Sequence, residues 1–423
     1  MAKNPALARR LGTADAVIIG LGSMIGAGVF AAFTPAAAAA GSGLLLGLAI
    51  AAGVAFCNAT SSAQLAAAYP RSGGTYLYGR ERLGPWPGYL AGWGFVVGKT
   101  ASAAAMAMTF AAYTAPAGWE RPVAIAAVVA LAAVNYHGIT RTAGLARILV
   151  GIVLAALAVA VAATWSGSGP EAAPRAALPD AGLLEHGWYG VLQSAGLLFF
   201  AFAGYARIAT MGEEVRSPRR TIPRAIGISL AITVAVYAAV GVTLLAVLGP
   251  EGVAATTAPL AAAVESGSGS WAAPVVRAGA AAAALGALLA LIAGLGRTSL
   301  AMARERDLPP WLAAVHPRYQ VPHRAEAALA VLICAVIAVA DLRGAIAFSS
   351  FGVLVYYLVA NIAAFTQSGA DRRYPRAFQV LGALACVVLV VTLPPPAVVL
   401  GVLVFAAGIL VRMLRLRFSR NTS

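Results

Sequence analysis

The sequence predicts an all-α integral membrane protein of twelve transmembrane helices. Three observations carry that reading. The chain is 61% hydrophobic and only 11% charged, where a soluble domain is about 25% charged. Its 423 residues break into apolar runs near the roughly 20-residue length that crosses a bilayer. Lysine and arginine are confined almost entirely to alternate segments between those runs.

The net charge of +15 would suit a nucleic-acid binder if the basic residues formed one patch. Instead, 24 of the 30 Lys and Arg residues fall in one set of alternate segments and four (Arg121, Arg175, Arg277 and Arg343) in the other. The positive-inside rule then places both termini in the cytoplasm. The expected surroundings are the cytoplasmic membrane and its lipid bilayer, with no nucleic acid. Trp119, Trp165, Trp188 and Trp271 mark the outer ends of spans, and Trp86 and Trp311 the inner side, as interfacial belts do. Met1–Arg10 is polar and basic, and the apolar run after it is too long for a signal peptide.

In order, the spans are 13–39, 43–66, 88–114, 122–136, 145–165, 188–213, 224–248, 272–296, 325–341, 344–367, 377–393 and 395–412. They read as one domain over 1–423. Residues 13–165 and 188–367 hold two successive groups of five, and 377–412 holds two further helices. Three consecutive prolines, Pro394–Pro396, cannot continue a helix, so the last two spans form a tight hairpin. The segments 166–187 and 249–270 read as flexible connections, the second with a short helix near Ala258–Val264. Residues 297–324 form the largest inner loop.

Two spans are poor helices. The first contains GSMIGAGVF at 22–30, with three glycines where a spanning helix normally carries large aliphatic residues. Each glycine costs about 1 kcal/mol relative to alanine. The sixth has FAFAGYAR at 200–207, small residues among aromatics. Small residues also line ordinary helix contacts. The two stretches, however, occupy equivalent places in the two groups of five and enter from opposite sides. Paired interruptions of this kind point to an inverted-repeat binding site near the midplane. Unwound N–H groups suit a carboxylate and unwound carbonyls suit an ammonium. An α-amino acid supplies both.

Lys99 lies about 11 residues into the third span, roughly 16 Å along the helix. An ionisable side chain at that depth is functional by default. Lys99 is the candidate coupling residue that exchanges a proton, the alternative being a fixed cation facing helix-end carbonyls. Arg207 stays charged and pairs either with an acidic ligand group or with a carboxylate such as Glu213 or Glu214. Those three are assigned to a gate or structural ion pair. Cys57, Cys334 and Cys386 lie inside apolar runs without metal-ligand spacing, and His137, His186, His316 and His323 sit at loop ends. No metal or cofactor is expected. No catalytic residue is assigned, because the sequence holds neither HExxH nor GxSxG at a plausible site nor an intramembrane Asp pair.

These stretches resemble the amino acid–polyamine–organocation (APC) permeases, and specifically the bacterial cationic-amino-acid-transporter-like branch. GSMIGAGVF is similar to that family's first-helix motif. YPRSGGTYLYG at 69–79 resembles its second-to-third-helix loop, FFAFAGYARIATMGEEVRSPRRTIPRAI at 199–226 its sixth helix, and SLAMARERDLPPWLAAVHPRYQVPHRA at 299–325 its eighth-to-ninth-helix loop. The likeness covers about residues 9–412. It implies a LeuT-type bundle of five plus five inverted helices with two C-terminal helices added. It also implies secondary transport by alternating access, as proton-coupled symport or amino acid exchange. Carried over, it places a substrate carboxylate near Gly26, Ala27 and Gly28, in the stretch that also holds Ser23 and Ile25. The ammonium goes to carbonyls near Met24, Phe200, Ala201 and Ala203, beside Gly204. Phe202 and Tyr205 flank or cap the site. Two departures stand out. Val153 occupies the place where some prokaryotic members carry a lysine, and Gly98-Lys99 stands where cationic-substrate relatives carry a carboxylate. Neutral amino acids are therefore the first expectation, acidic ones the second, and a cationic amino acid or polyamine antiporter the third. A non-transporting amino acid sensor with the same fold is the other alternative. A bulky residue at Gly28 is expected to block binding and leave folding nearly intact.

Overall fold

The computed structural model describes residues 11–70, 73–138, 143–166, 182–212, 214–267 and 269–420. Within them the chain is helical, apart from one isolated bridge between Leu11 and Val215. Arg71, Arg141, Arg175, Glu213 and residues 167–181 lie outside the described residues.

The first expected span is built from α1 (Thr13–Met24), α2 (Ala27–Ala31) and α3 (Phe33–Ala40). Next come α4 (Leu44–Ala68), α5 (Gly74–Leu83), α6 (Pro85–Thr114), α7 (Glu120–Tyr136) and α8 (Ala143–Ser166). The second half holds α9 (Gly187–Phe202), α10 (Ala206–Ala209), α11 (Pro218–Ala255), α12 (Pro259–Glu265) and α13 (Ala273–Arg304). It continues with α14 (His323–Val339), α15 (Leu342–Phe365), α16 (Arg376–Thr392) and α17 (Pro395–Arg420).

Every stretch read as a span falls on a helix. Among the described residues, 9 helical stretches are long and apolar enough to cross a membrane. α7, α14 and α16 have 17 residues each and are shorter. The prolines at 394–396 separate α16 from α17, and α12 lies where the short helix was expected. Three places differ from the sequence reading. Helix α5 occupies the connection before the third span, closed by Gly84 at φ 100 and followed by Pro85 at the first position of α6. Helix α11 breaks at Gly249 (φ 67, ψ 170), next to the expected end at 248, and residues 250–255 form a separate helical segment in the connection read as flexible, with Pro250 near its start where a missing donor is tolerated. Helix α13 continues through Arg304, because no breaker intervenes between Arg297 and Arg304.

Small residues set the packing. A Cβ on Gly352 of α15 would stand 2.7 Å from the Gly94 carbonyl oxygen and 2.8 Å from Gly98 Cα on α6. The two backbones therefore touch, as small-residue contacts in membranes allow. Large apolar side chains such as Val331, Val391 and Leu403 face outward, which suits hydrocarbon surroundings.

One end of the bundle is tied by charge. Asp307, in the loop after α13, is buried and accepts from Tyr76 Oη at 2.7 Å and Arg80 Nη1 at 2.9 Å. Arg412 of α17 pairs with its other oxygen at 2.8 Å, and stacks over Trp86 and Tyr89 at 4.4 and 4.5 Å. Burial, and then the Asp307 carboxylate, push the Tyr76 phenol far above its usual range, so it remains a donor.

Candidate functional site

Helix α1 stops because Ile25 (ψ 57) and Gly26 (φ −105, ψ −138) leave helical geometry before α2 begins. The sixth span breaks more gently. Ala203–Tyr205 tighten into a 3-10 turn between α9 and α10. The two interruptions meet. A Cβ on Gly204 would fall 2.1 Å from the Ser23 carbonyl oxygen and 2.6 Å from Met24 N. A Cβ on Gly28 would fall 2.6 Å from Ala201 Cα. Both glycines are there because two backbones need their space. The Gly28 contact corrects the expectation that a bulky residue there spares the fold.

Beside this contact lies a narrow cavity of about 20 Å³, room for about one water molecule. The first interruption contributes Ser23, Met24, Gly26, Ala27 and Gly28 to its wall, and the sixth span Phe200, Ala201 and Gly204. Helix α6 supplies Lys99, Ser102 and Met106. Ile25, Phe202, Ala203 and Tyr205 are buried next to the wall and do not line it. Phe202 packs on Tyr237 with ring centroids 5.0 Å apart, and Tyr205 on Tyr357 at 4.9 Å.

Tyr237 of α11 was not anticipated. Its hydroxyl lies 2.5 Å from the Met24 carbonyl oxygen and 3.0 Å from that of Ala201, so one phenol bridges both interrupted spans. Tyr357 Oη donates to the Ala203 carbonyl at 3.2 Å. These donors satisfy carbonyls that the breaks release, as buried backbone groups require. The signal for Tyr237 was a single tyrosine in the middle of the apolar run AITVAVYAAVGV. Ser102 and Met106 follow Lys99 at i+3 and i+7, and so share its helix face.

Lys99 is buried at 8% exposure and borders the cavity. Among the described residues it makes no hydrogen bond or ion pair, and the wall holds no carboxylate. Ser102 Oγ is held 2.5 Å from Ser349 Oγ of α15. Arg207 donates weakly to Thr210 Oγ1 at 3.4 Å, and no ion pair joins it to Glu214. The Glu214 backbone instead ties to the start of the chain: Leu11 N donates to Glu214 O at 3.1 Å, and Arg216 N to Leu11 O at 2.8 Å.

The amino acid permease family model matches residues 11–415. An uncharacterized transporter of Mycobacterium tuberculosis is 59% identical over 419 residues, covering 98% of this chain and 94% of its own. The chloroplastic cationic amino acid transporter 7 of Arabidopsis thaliana is 28% identical, covering 83% of this chain and 64% of its own. The branched-chain amino acid permease of Bacillus subtilis is 25% identical, covering 89% of this chain and 84% of its own. With an all-helical bundle rich in apolar helices and a family match across nearly its whole length, this multi-pass membrane chain is an amino acid transporter and belongs to the amino acid permease family of the APC superfamily.

Proposed function

We propose that the chain is a secondary active transporter that moves amino acids across the cytoplasmic membrane by alternating access. In this reading twelve helices span the membrane with both termini cytoplasmic. Residues 13–165 and 188–367 form inverted five-helix repeats of the LeuT type, and 377–412 add two helices. The observation that carries the proposal is the cavity where the interruptions of the first and sixth spans meet. The substrate carboxylate lies against the main chain of Gly26–Gly28. The α-ammonium is held by carbonyls of Ser23–Met24 and Phe200–Ala203. Each of these oxygens has two lone pairs, so those already bonded to Tyr237 or Tyr357 keep capacity for the ligand. Ile25, Gly204, Phe202 and Tyr205 shape this main chain, the last two from behind.

Lys99 is the coupling residue in this scheme, the one titratable side chain in the wall among the described residues. It takes up a proton with the substrate and releases it on the opposite side, giving proton-coupled symport, with exchange as the uncoupled half of the cycle. The name of the Arabidopsis relative favours a second reading, transport of cationic amino acids, but Lys99 repels such a ligand. Arg207, Glu213 and Glu214 act as a gate near the strap formed by Leu11 and Arg216. Reconstitution in proteoliposomes tests the scheme. An imposed inward proton gradient drives accumulation of a labelled amino acid by the native chain, and Lys99→Met retains exchange without that gain. Gradient-driven uptake by the variant excludes Lys99 as the coupling residue. Binding with neither accumulation nor exchange makes the chain a sensor.

A further inference from the structure

The unpaired cation in the cavity wall bears on substrate class, and this step rests on the reading of that cavity as the amino acid site. Lys99 cannot easily turn away. The residue before it, Gly98, lies so close to α15 that a Cβ there would be 3.1 Å from Gly352 Cα and from the Ser349 carbonyl oxygen. The backbone of α6 is thus pinned where Lys99 leaves it. The next turn of α6 is bound on the same side, since Ser102 is held to Ser349. The lysine is more than nine-tenths buried and borders the empty space, with no described partner. Buried charges persist when paired, and the surrounding wall offers no anion.

A neutral amino acid enters as a zwitterion whose two charges cancel, and leaves the ammonium uncompensated. A cationic one adds a like charge. An amino acid with a second carboxylate brings the missing negative charge. We propose that Lys99 is the specificity-determining residue of the cavity, pairing with the side-chain carboxylate of an acidic amino acid while the main chain of the two interruptions holds the α-carboxylate and α-ammonium. This reverses the order expected from the sequence, in which neutral substrates come first. The pairing form of Lys99 is the protonated one, so proton and acidic substrate occupy the cavity together. No other titratable side chain lines it among the described residues.

Equilibrium binding to the full-length protein in lipid nanodiscs tests this, using labelled glutamate and aspartate against glutamine and asparagine, which match their shapes without the charge. The native chain should bind each acid about tenfold or more tightly than its amide. In Lys99→Met that ratio should collapse to roughly unity, and Lys99→Arg should retain part of it. Should Lys99→Met fail to give monodisperse protein, the native ratio and Lys99→Arg decide. Amide binding equal to or tighter than acid binding in the native chain, or an acid preference that survives in Lys99→Met, overturns the proposal while leaving the amino acid site in place. Failure to bind any proteinogenic amino acid overturns the site itself and this inference with it.

Discussion

Tyr237 shows how much of the site rests on single atoms. Its hydroxyl spans the Met24 and Ala201 carbonyls, so Tyr237→Phe removes the link between the two interrupted spans and leaves the ring packed on Phe202. A lost buried hydrogen bond costs about 1–3 kcal/mol, and amino acid affinity in nanodiscs should fall roughly 5- to 100-fold with the fold retained. Unchanged affinity would remove Tyr237 from the site. Gly28 and Gly204 behave differently, because a Cβ at either meets backbone atoms within 2.6 Å. Gly28→Leu and Gly204→Val should therefore yield aggregated protein on size-exclusion chromatography, whatever their effect on binding. The glycines were legible in the sequence as weak helix. Their contact with each other's strand of main chain was not, since it depends on how two distant segments cross. Lys99 was legible as a charge at depth; its lack of a partner required the fold.

At the scale of elements, the two interrupted spans are unequal. The first unwinds at Ile25–Gly26, where glycine density is high, and the sixth only tightens at Ala203–Tyr205. The sequence marks both as weak and cannot rank them, because alanine and tyrosine are compatible with either geometry. Loop-borne charge sets a second element-scale feature. Asp307 joins α5, the end of α13 and α17 through Tyr76, Arg80 and Arg412. Asp307→Ala strands the Arg412 guanidinium in a buried site, and losing one partner of a buried pair costs about 3–5 kcal/mol. The unfolding temperature in detergent should drop by several degrees, with a smaller drop for Glu305→Ala, whose pair with Arg80 is exposed. Equal drops would show that burial is not what gives the Asp307 cluster its weight. Spacing of these residues in sequence, hundreds of positions apart, gave no hint of the cluster.

At the scale of the molecule, apolar run length and charge alternation located the helices well, because those patterns follow from the bilayer alone. Boundaries failed where helix formers continued past the apolar run, as from Arg297 to Arg304, and held where a breaker stood at its end, as at Gly249 and Pro250. The proposed topology predicts that fluorescent reporters fused after Ser423 are shielded from an extracellular quencher in intact cells; quenching would reverse the orientation. The central claim is that the junction of the interrupted spans is the substrate site of a transporter. Counterflow tests it most directly: proteoliposomes loaded with an excess of one unlabelled amino acid are diluted into a trace of its labelled form, across a panel of acidic, neutral and cationic amino acids. The account predicts transient accumulation of label for at least one acid, abolished in Tyr237→Phe or strongly slowed. Absence of counterflow for every amino acid, from protein that is folded and correctly inserted, would contradict it.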